Sequence, residues 1–296
     1  MKLYKYYNLF SRWSFSKKVF NFLIRRTFFQ KVIGLFSKPV EPEKWVFILG
    51  CYNSGSTLLS QILGAHDSMS SLPIEGVFLT EQLPSPEDYG WPRMWIKCSD
   101  KVGLSGFSEE QLAQKARKVK KQWSSWFNPS KKIYVEKSIA NAARIGFFNK
   151  QFSSAYFIHI VRNGYAVSRG IQKKANPAKW GNREFGDSYP LDMCARQWAE
   201  TDETIRKAKP ELNHYLQISY EDLSDRSMET LNKITKFLGV GPFDKSVLEV
   251  EWNFGSVTSK LKNMNFLVLD KISPEEKREV RKEGKEILKK YGYEKK

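Results

Sequence analysis

The sequence predicts an α/β fold, a P-loop-like three-layer arrangement with a central parallel sheet flanked by helices. Three observations carry this. The continuous apolar run Trp45-Val46-Phe47-Ile48-Leu49 has the pattern of a strand buried on both faces. A glycine-bounded loop, Gly50 to Thr57, follows at once and leads into a helical stretch over 58–63. Further β-like runs at 133–135 and 156–161 are separated by helical segments, the alternation expected of a parallel sheet.

The elements follow in order. Pro39 and Pro42 stand just before the first strand and mark a boundary, dividing the chain into a basic aromatic arm, 1–44, and a domain, 45–296. A helix over 107–127 has Ser108 as N-cap, with Glu109 and Glu110 in its first turn. Segments 140–148 and 191–208 read as helices, with Trp198 facing the core. His159 alternates with apolar residues in its strand and reads as a core histidine. A helix over 228–238 is stopped by Gly239, Gly241 and Pro242, and residues 253–262 form a polar, basic loop. Ser273-Pro274-Glu275-Glu276 opens a charged terminal helix that ends before Gly292.

Composition bounds the function. The chain has 296 residues, 41% hydrophobic, which excludes wholesale disorder. The net charge of +17 permits an anionic partner. Residues 1–44 hold ten Lys/Arg against two Asp/Glu, and residues 271–296 hold ten against six. Most of the excess therefore lies at the two ends, so nucleic-acid binding is not expected. Cys51, Cys98 and Cys194 are widely spaced and form no CxxC pair, and no Asn-X-Ser/Thr acceptor occurs. This pattern predicts neither structural zinc nor disulfides and favours a reducing, cytoplasmic setting.

Residues 1–38 interleave Phe, Tyr and Trp with Lys and Arg, and no acidic residue precedes Glu41. The charge-free stretch after Lys18 is interrupted by Asn21 and ends at Arg25. It matches neither a signal peptide nor a membrane-spanning helix. The apolar residues fall on no single clean helical face. Two readings stand side by side: an arm that lies on an anionic membrane surface, and an arm packed on its own domain.

The loop Gly50-Cys51-Tyr52-Asn53-Ser54-Gly55-Ser56-Thr57 sits between strand and helix, the context in which backbone N–H groups and a helix N-terminus cradle an anion. Gly50, Gly55 and Thr57 fit the phosphate-loop pattern of NTPases, but Ser56 stands where that pattern has its lysine. Kinase or NTPase chemistry is therefore disfavoured, while binding of a shorter phosphate group is retained.

This loop resembles the 5′-phosphosulfate loop of sulfotransferases that use 3′-phosphoadenosine 5′-phosphosulfate (PAPS). Four further segments resemble that family in its order: Glu136-Lys137-Ser138, the run from Phe157 through Arg162 to Val167, Tyr220-Glu221-Asp222-Leu223, and Phe237-Leu238-Gly239. The style is that of the glycan and tyrosyl-protein enzymes and their bacterial relatives. The resemblance implies PAPS as donor and no metal. It implies donor contacts from Asn53, Ser54, Gly55, Ser56, Thr57 and Leu58, a 3′-phosphate site at Arg162, and Tyr220 against the nucleotide. Two positions depart from the pattern. Asn53 stands where the family usually has Lys or Arg, and Gly170 where it commonly has Ser, which leaves Ser168 as the nearest serine.

Sulfuryl transfer to a hydroxyl or amine needs a base, positive charge at the sulfonate and donors at the leaving phosphate. Glu75, between apolar neighbours expected to raise its pKa, is the candidate base, with Glu81 its rival. Lys137 at a strand's C-terminal end is the candidate cation, with Asn53 beside it in the catalytic set. Arg162 ends a strand as a planar fork suited to phosphate. The acceptor expected is a glycan or glycolipid. The competing classes are a P-loop-type kinase and a nonenzymatic membrane or nucleic-acid binding module.

Overall fold

The computed structural model describes residues 3–4, 19, 22–253 and 258–294. The arm residues 5–18 and the centre of the 253–262 loop lie outside them. Helix α1 (Thr27–Phe36) precedes strand β1 (Lys44–Gly50), which leads through the glycine loop into α2 (Ser56–Gly64). There follow β2 (Met69–Ser71), α3 (Glu109–Ser124), β3 (Ile133–Glu136), α4 (Ile145–Gln151), β4 (Ala155–Val161), α5 (Gly164–Lys174) and α6 (Leu191–Ala208). Strand β5 (Tyr215–Ser219), α7 (Tyr220–Asp225), α8 (Ser227–Leu238) and α9 (Pro274–Lys290) complete the frame.

The five strands form one parallel sheet in the order β2-β3-β1-β4-β5, so the α/β expectation holds. Strand β1 is central, with Val46 opposite Val135 on one side and Tyr156 on the other. Its side chains alternate between two cores, which is why the whole run is apolar. Trp45, Phe47 and Leu49 join Trp123, Phe148 and Phe152, while Val46 and Ile48 join Leu59, Ile62, Ile234 and Leu238. Connections run to one side of β1 for β2 and β3 and to the other for β4 and β5, so its C-terminal end is a switch point of the kind where ligands bind in open α/β sheets.

Local signals decide several element ends. Ser108 and Ser273 close capping boxes with Gln111 and Glu276, and Gly239 ends α8 at φ 65°. The segment expected as one helix over 140–148 instead divides into a 3-10 turn, Ile139–Arg144, and α4. His159 is buried in the core, where Tyr215 OH lies 2.8 Å from its Nδ1 and burial pulls its pKa down to about 4. All three cysteines are free and buried.

The arm packs on the domain through part of its length. Ile24 and Ile33 are buried, and Gln30 Nε2 donates to the Phe78 carbonyl at 2.9 Å. Gln122 of α3 in turn donates to the Gln30 carbonyl at 3.1 Å. Among the described residues no helix is long and apolar enough to cross a membrane.

Candidate active site

The loop after β1 turns through left-handed backbone twice, at Asn53 (φ 61°) and Gly55 (φ 91°). Asparagine tolerates this region. Gly55 is required sterically as well, because a Cβ there would lie 2.5 Å from Tyr220 Cδ2. Gly55 caps α2 with no side-chain acceptor, so the first N–H groups of that helix, from Ser56 to Leu58, have no intrahelical partner. Unpartnered N–H groups at a helix N-terminus are the arrangement that can cradle an anion.

Arg162 at the end of β4 organises this loop. Its Nη1 donates to the Asn53 carbonyl at 2.7 Å and its Nε to Asn265 Oδ1 at 2.8 Å, while the guanidinium lies 4.0 Å over the Tyr220 ring. The expected open fork is thus largely engaged by the protein, and Nη2 alone makes no hydrogen bond among the described residues. Burial pulls the Arg162 pKa down from its ordinary value. Tyr220 is fully buried, wedged between Gly55 and Arg162, and its OH accepts from the Met264 N–H at 3.1 Å.

Two of the serines expected at the donor, Ser168 and Ser54, turn inward. Ser168 is fully buried and donates to the Gly164 carbonyl at 2.7 Å, one helical turn back. Ser54 spends its N–H on the Cys51 carbonyl, and its buried hydroxyl faces a small interior cavity shared with His159 and Asp202. Leu58 buries its side chain in the core and offers only its backbone N–H. The two departing positions touch each other: a Cβ at Gly170 would lie 3.0 Å from Asn53 Cγ and 3.1 Å from Nδ2. Asn53 Nδ2 is buried without a partner.

Thr57, Glu75 and Lys137 line a cleft of about 1130 Å³ together with Arg93, Lys174 and Glu87. Typical single-ligand pockets span roughly 300–1,000 Å³, so the cleft has room for a nucleotide and an acceptor. Lys137 Nζ lies 2.7 Å from Glu75 Oε1, both partly buried. The nearest charged neighbour of Glu75 is therefore the Lys137 ammonium. Glu81 does not line the cleft; its carboxylate oxygens accept from Gln82 and Gln122.

A buried scaffold holds the Glu75 turn. Glu136 at the end of β3 is fully buried, and its Oε1 accepts from the Gly76 N–H at 3.0 Å and from Ser138 Oγ. Asn141 donates to Oε2 at 2.5 Å, and Ser138 Oγ also accepts from the Val77 N–H at 3.2 Å. Burial raises the Glu136 pKa to about 7. The segment Glu136-Lys137-Ser138 thus supplies one side chain to the cleft and two to the turn beneath it. Sequence reading missed Glu136, Arg93, Lys174, Glu87 and Asn265. Only Glu136 carried a signal: it stands at the end of an otherwise apolar strand and opens the Glu136-Lys137-Ser138 segment, though no role was read for it.

Burial, then Arg93 and Arg162, pulls the Lys174 pKa down, which places this ammonium among other cations. Burial and then Glu75 push the Glu87 carboxyl up. Among the described residues no three His, Cys, Asp or Glu are placed to hold a metal ion.

No curated protein matches the chain. Among solved structures, the chain is similar to the sulfotransferase domain from the curacin biosynthetic pathway, at 20% identity over 86% of this chain and 99% of that one, with a TM-score of 0.51. It is also similar to the sulfotransferase domain of the Synechococcus PCC 7002 olefin synthase, at 21% identity over 86% and 97%, TM-score 0.49. A third is mouse sulfotransferase SULT7A1 complexed with PAP, at 12% identity over 88% and 89%, TM-score 0.48. The profile of the Sulfotransferase family matches residues 46–245, well over half of the chain, and the chain belongs to that family of sulfuryl-transferring enzymes.

Proposed function

We propose that the chain transfers a sulfuryl group from PAPS to a hydroxyl or amine of an acceptor, a glycan or glycolipid, by in-line displacement with Glu75 as general base. The observation that carries this is the 2.7 Å Lys137–Glu75 pair in one cleft with Thr57 at the α2 N-terminus. Residues 45–296 are the catalytic domain and 1–44 the arm. The buried free cysteines suit a reducing, cytoplasmic compartment.

The unpartnered N–H groups of α2 and the orphan Nδ2 of Asn53 suit the 5′-phosphosulfate. Arg162 fixes the loop through the Asn53 carbonyl and has Nη2 left for the 3′-phosphate. Glu75 takes the acceptor proton as the acceptor oxygen bonds to sulfur. The bridging S–O bond breaks and its electrons leave on the phosphate. Proton transfer neutralises the carboxylate that Lys137 was paired with. The ammonium then faces the sulfonate and leaving phosphate at the stage where their negative charge needs it.

The test is calorimetry with PAP and Mg-ATP, followed by transfer from radiolabelled PAPS. PAP is expected to bind more tightly. Glu75→Gln is expected to abolish transfer and keep PAP affinity. Tighter binding of Mg-ATP, or an active Glu75→Gln enzyme, overturns the reading.

A further inference from the structure

Helix α1 and the residues before it have two apolar faces. One packs inward through Ile24 and Ile33, which are 0% and 1% exposed. The other points to solvent: Phe28, Leu35 and Phe36 are 78–79% exposed and Phe22 58%. A soluble helix normally buries its large apolar side chains or replaces them with polar ones. Here they stand near Arg26 and Lys31, in a segment with nine Lys/Arg and no acidic residue before Glu41. Helix α3, on which α1 packs, adds exposed Arg117 and Lys118.

We propose that this outward face docks on an anionic lipid bilayer and brings the cleft to acceptors carried in that bilayer. Phenylalanine and leucine flanked by basic residues fit the boundary between acyl chains and anionic headgroups. A second copy fits poorly, because a self-complementary contact would set this cationic segment against itself. A nucleic acid fits poorly as well, since leucine and fully projecting phenylalanines add nothing to phosphate contacts.

The same segment reaches the site. Tyr4 and Arg25 line the cleft, and the Arg25 guanidinium lies 4.0 Å over the Phe78 ring. Phe78 belongs to the turn that carries Glu75: its N–H donates to the Glu75 carbonyl at 3.0 Å, and its own carbonyl accepts from Gln30. One element thus presents an apolar basic face outward and holds the base-bearing turn inward. The acceptor part of the proposal, a lipid-borne hydroxyl or amine, rests on the sulfuryl-transfer reading; the docking part does not.

The experiment uses the full chain with sedimenting vesicles of phosphatidylcholine, with and without phosphatidylglycerol, at low and high salt. Binding is expected only with the anionic lipid and weakens with salt. The combined Phe28→Ser, Leu35→Ser, Phe36→Ser variant is expected to lose at least about tenfold in vesicle affinity and to keep its PAP affinity by calorimetry, which shows that it remains folded. No vesicle binding, equal binding by the variant, or a dimer in light scattering that the variant dissolves overturns the docking surface. For the acceptor, radiolabelled PAPS is incubated with the enzyme and a cell membrane fraction. Label extracted into chloroform–methanol supports a lipid-borne acceptor, and its absence there overturns that part. A failure to bind PAP removes the sulfuryl-transfer reading while the vesicle result stands.

Discussion

Gly76→Ala isolates the support of the turn that carries Glu75, the proposed base. The added Cβ would lie 2.6 Å from Trp123 Cζ2, 2.8 Å from Glu136 Oε1 and 2.9 Å from Glu136 Cγ. Carbon contacts relax near roughly 3.5–4.0 Å, so about 1 Å of overlap must be relieved on two sides. Neither neighbour yields easily. Trp123 is fully buried and its Nε1 donates to the Gly76 carbonyl at 3.0 Å, while Glu136 is fixed by Ser138 and Asn141. The backbone from Glu75 to Val77 must therefore move toward the cleft. Overpacking of this kind costs about 1–3 kcal/mol, and a displacement of about 1 Å at a reacting group lowers turnover on the order of 100-fold. The phosphate loop lies on a different strand end, so PAP affinity is expected to stay within about twofold of wild type. Transfer from radiolabelled PAPS measures kcat, and calorimetry measures PAP binding. A folded Gly76→Ala protein with kcat near wild type would show that the turn does not position the base.

Three further outcomes are expected. Arg162→Ala removes a charged hydrogen bond that holds the Asn53 carbonyl, a loss of about 1.5–3 kcal/mol, and should weaken PAP binding by at least about tenfold; unchanged affinity in calorimetry would misplace the donor site. Lys174→Met removes a cleft cation, so PAP affinity should fall and its salt dependence should flatten, with an unaltered salt slope counting against contact with the donor. Stability should respond to pH in two opposite ways. His159 is held neutral, its pKa pulled from 6.5 to about 4, so it contributes stability present above 6.5 and lost as pH falls toward 4. Glu136 is raised from 4.5 to about 7, so its burial erodes stability as pH rises from 4.5 to 7, by on the order of 3 kcal/mol. Urea unfolding of Glu136→Gln across this range should lose that decline and keep the acid-side loss, and an unchanged profile would reject the assignment.

What was legible in the sequence was local. The β1 run announced its position because both faces of a central strand are covered, and the loop after it was marked by two glycines. Ser108 and Ser273 marked their helices because capping chemistry is confined to one turn. The segment 140–148 misled because its alanines favour helix, while Asn141 is drawn away to Glu136 and its N–H to the Ser138 carbonyl at 3.0 Å. The described residues 22–36 of the arm present two apolar faces and not one: Ile24 and Ile33 inside, Phe28 and Leu35 outside. Arg93, Lys174 and Asn265 were invisible because only the folding of separate segments around the β1 loop brings Lys174 near Arg93 and Arg162 and Asn265 onto Arg162.

The same geometry changes how the two departures from the family pattern are to be understood. Read singly, Asn53 for a basic residue and Gly170 for serine look like two independent losses at the donor site. They are neighbours. The Asn53 side chain lies against Gly170 so closely that a Cβ there would be 3.0 Å from it, so the glycine makes the room the asparagine occupies. Lys174 follows Gly170 by four residues on α5, and residues so spaced share a helix face. That places a cleft-lining ammonium one turn along α5 from Gly170, the residue against which Asn53 lies. On this argument the loop has not simply lost a cation. A small residue on α5 accommodates a neutral loop side chain, and the next turn of that helix carries a lysine that lines the cleft.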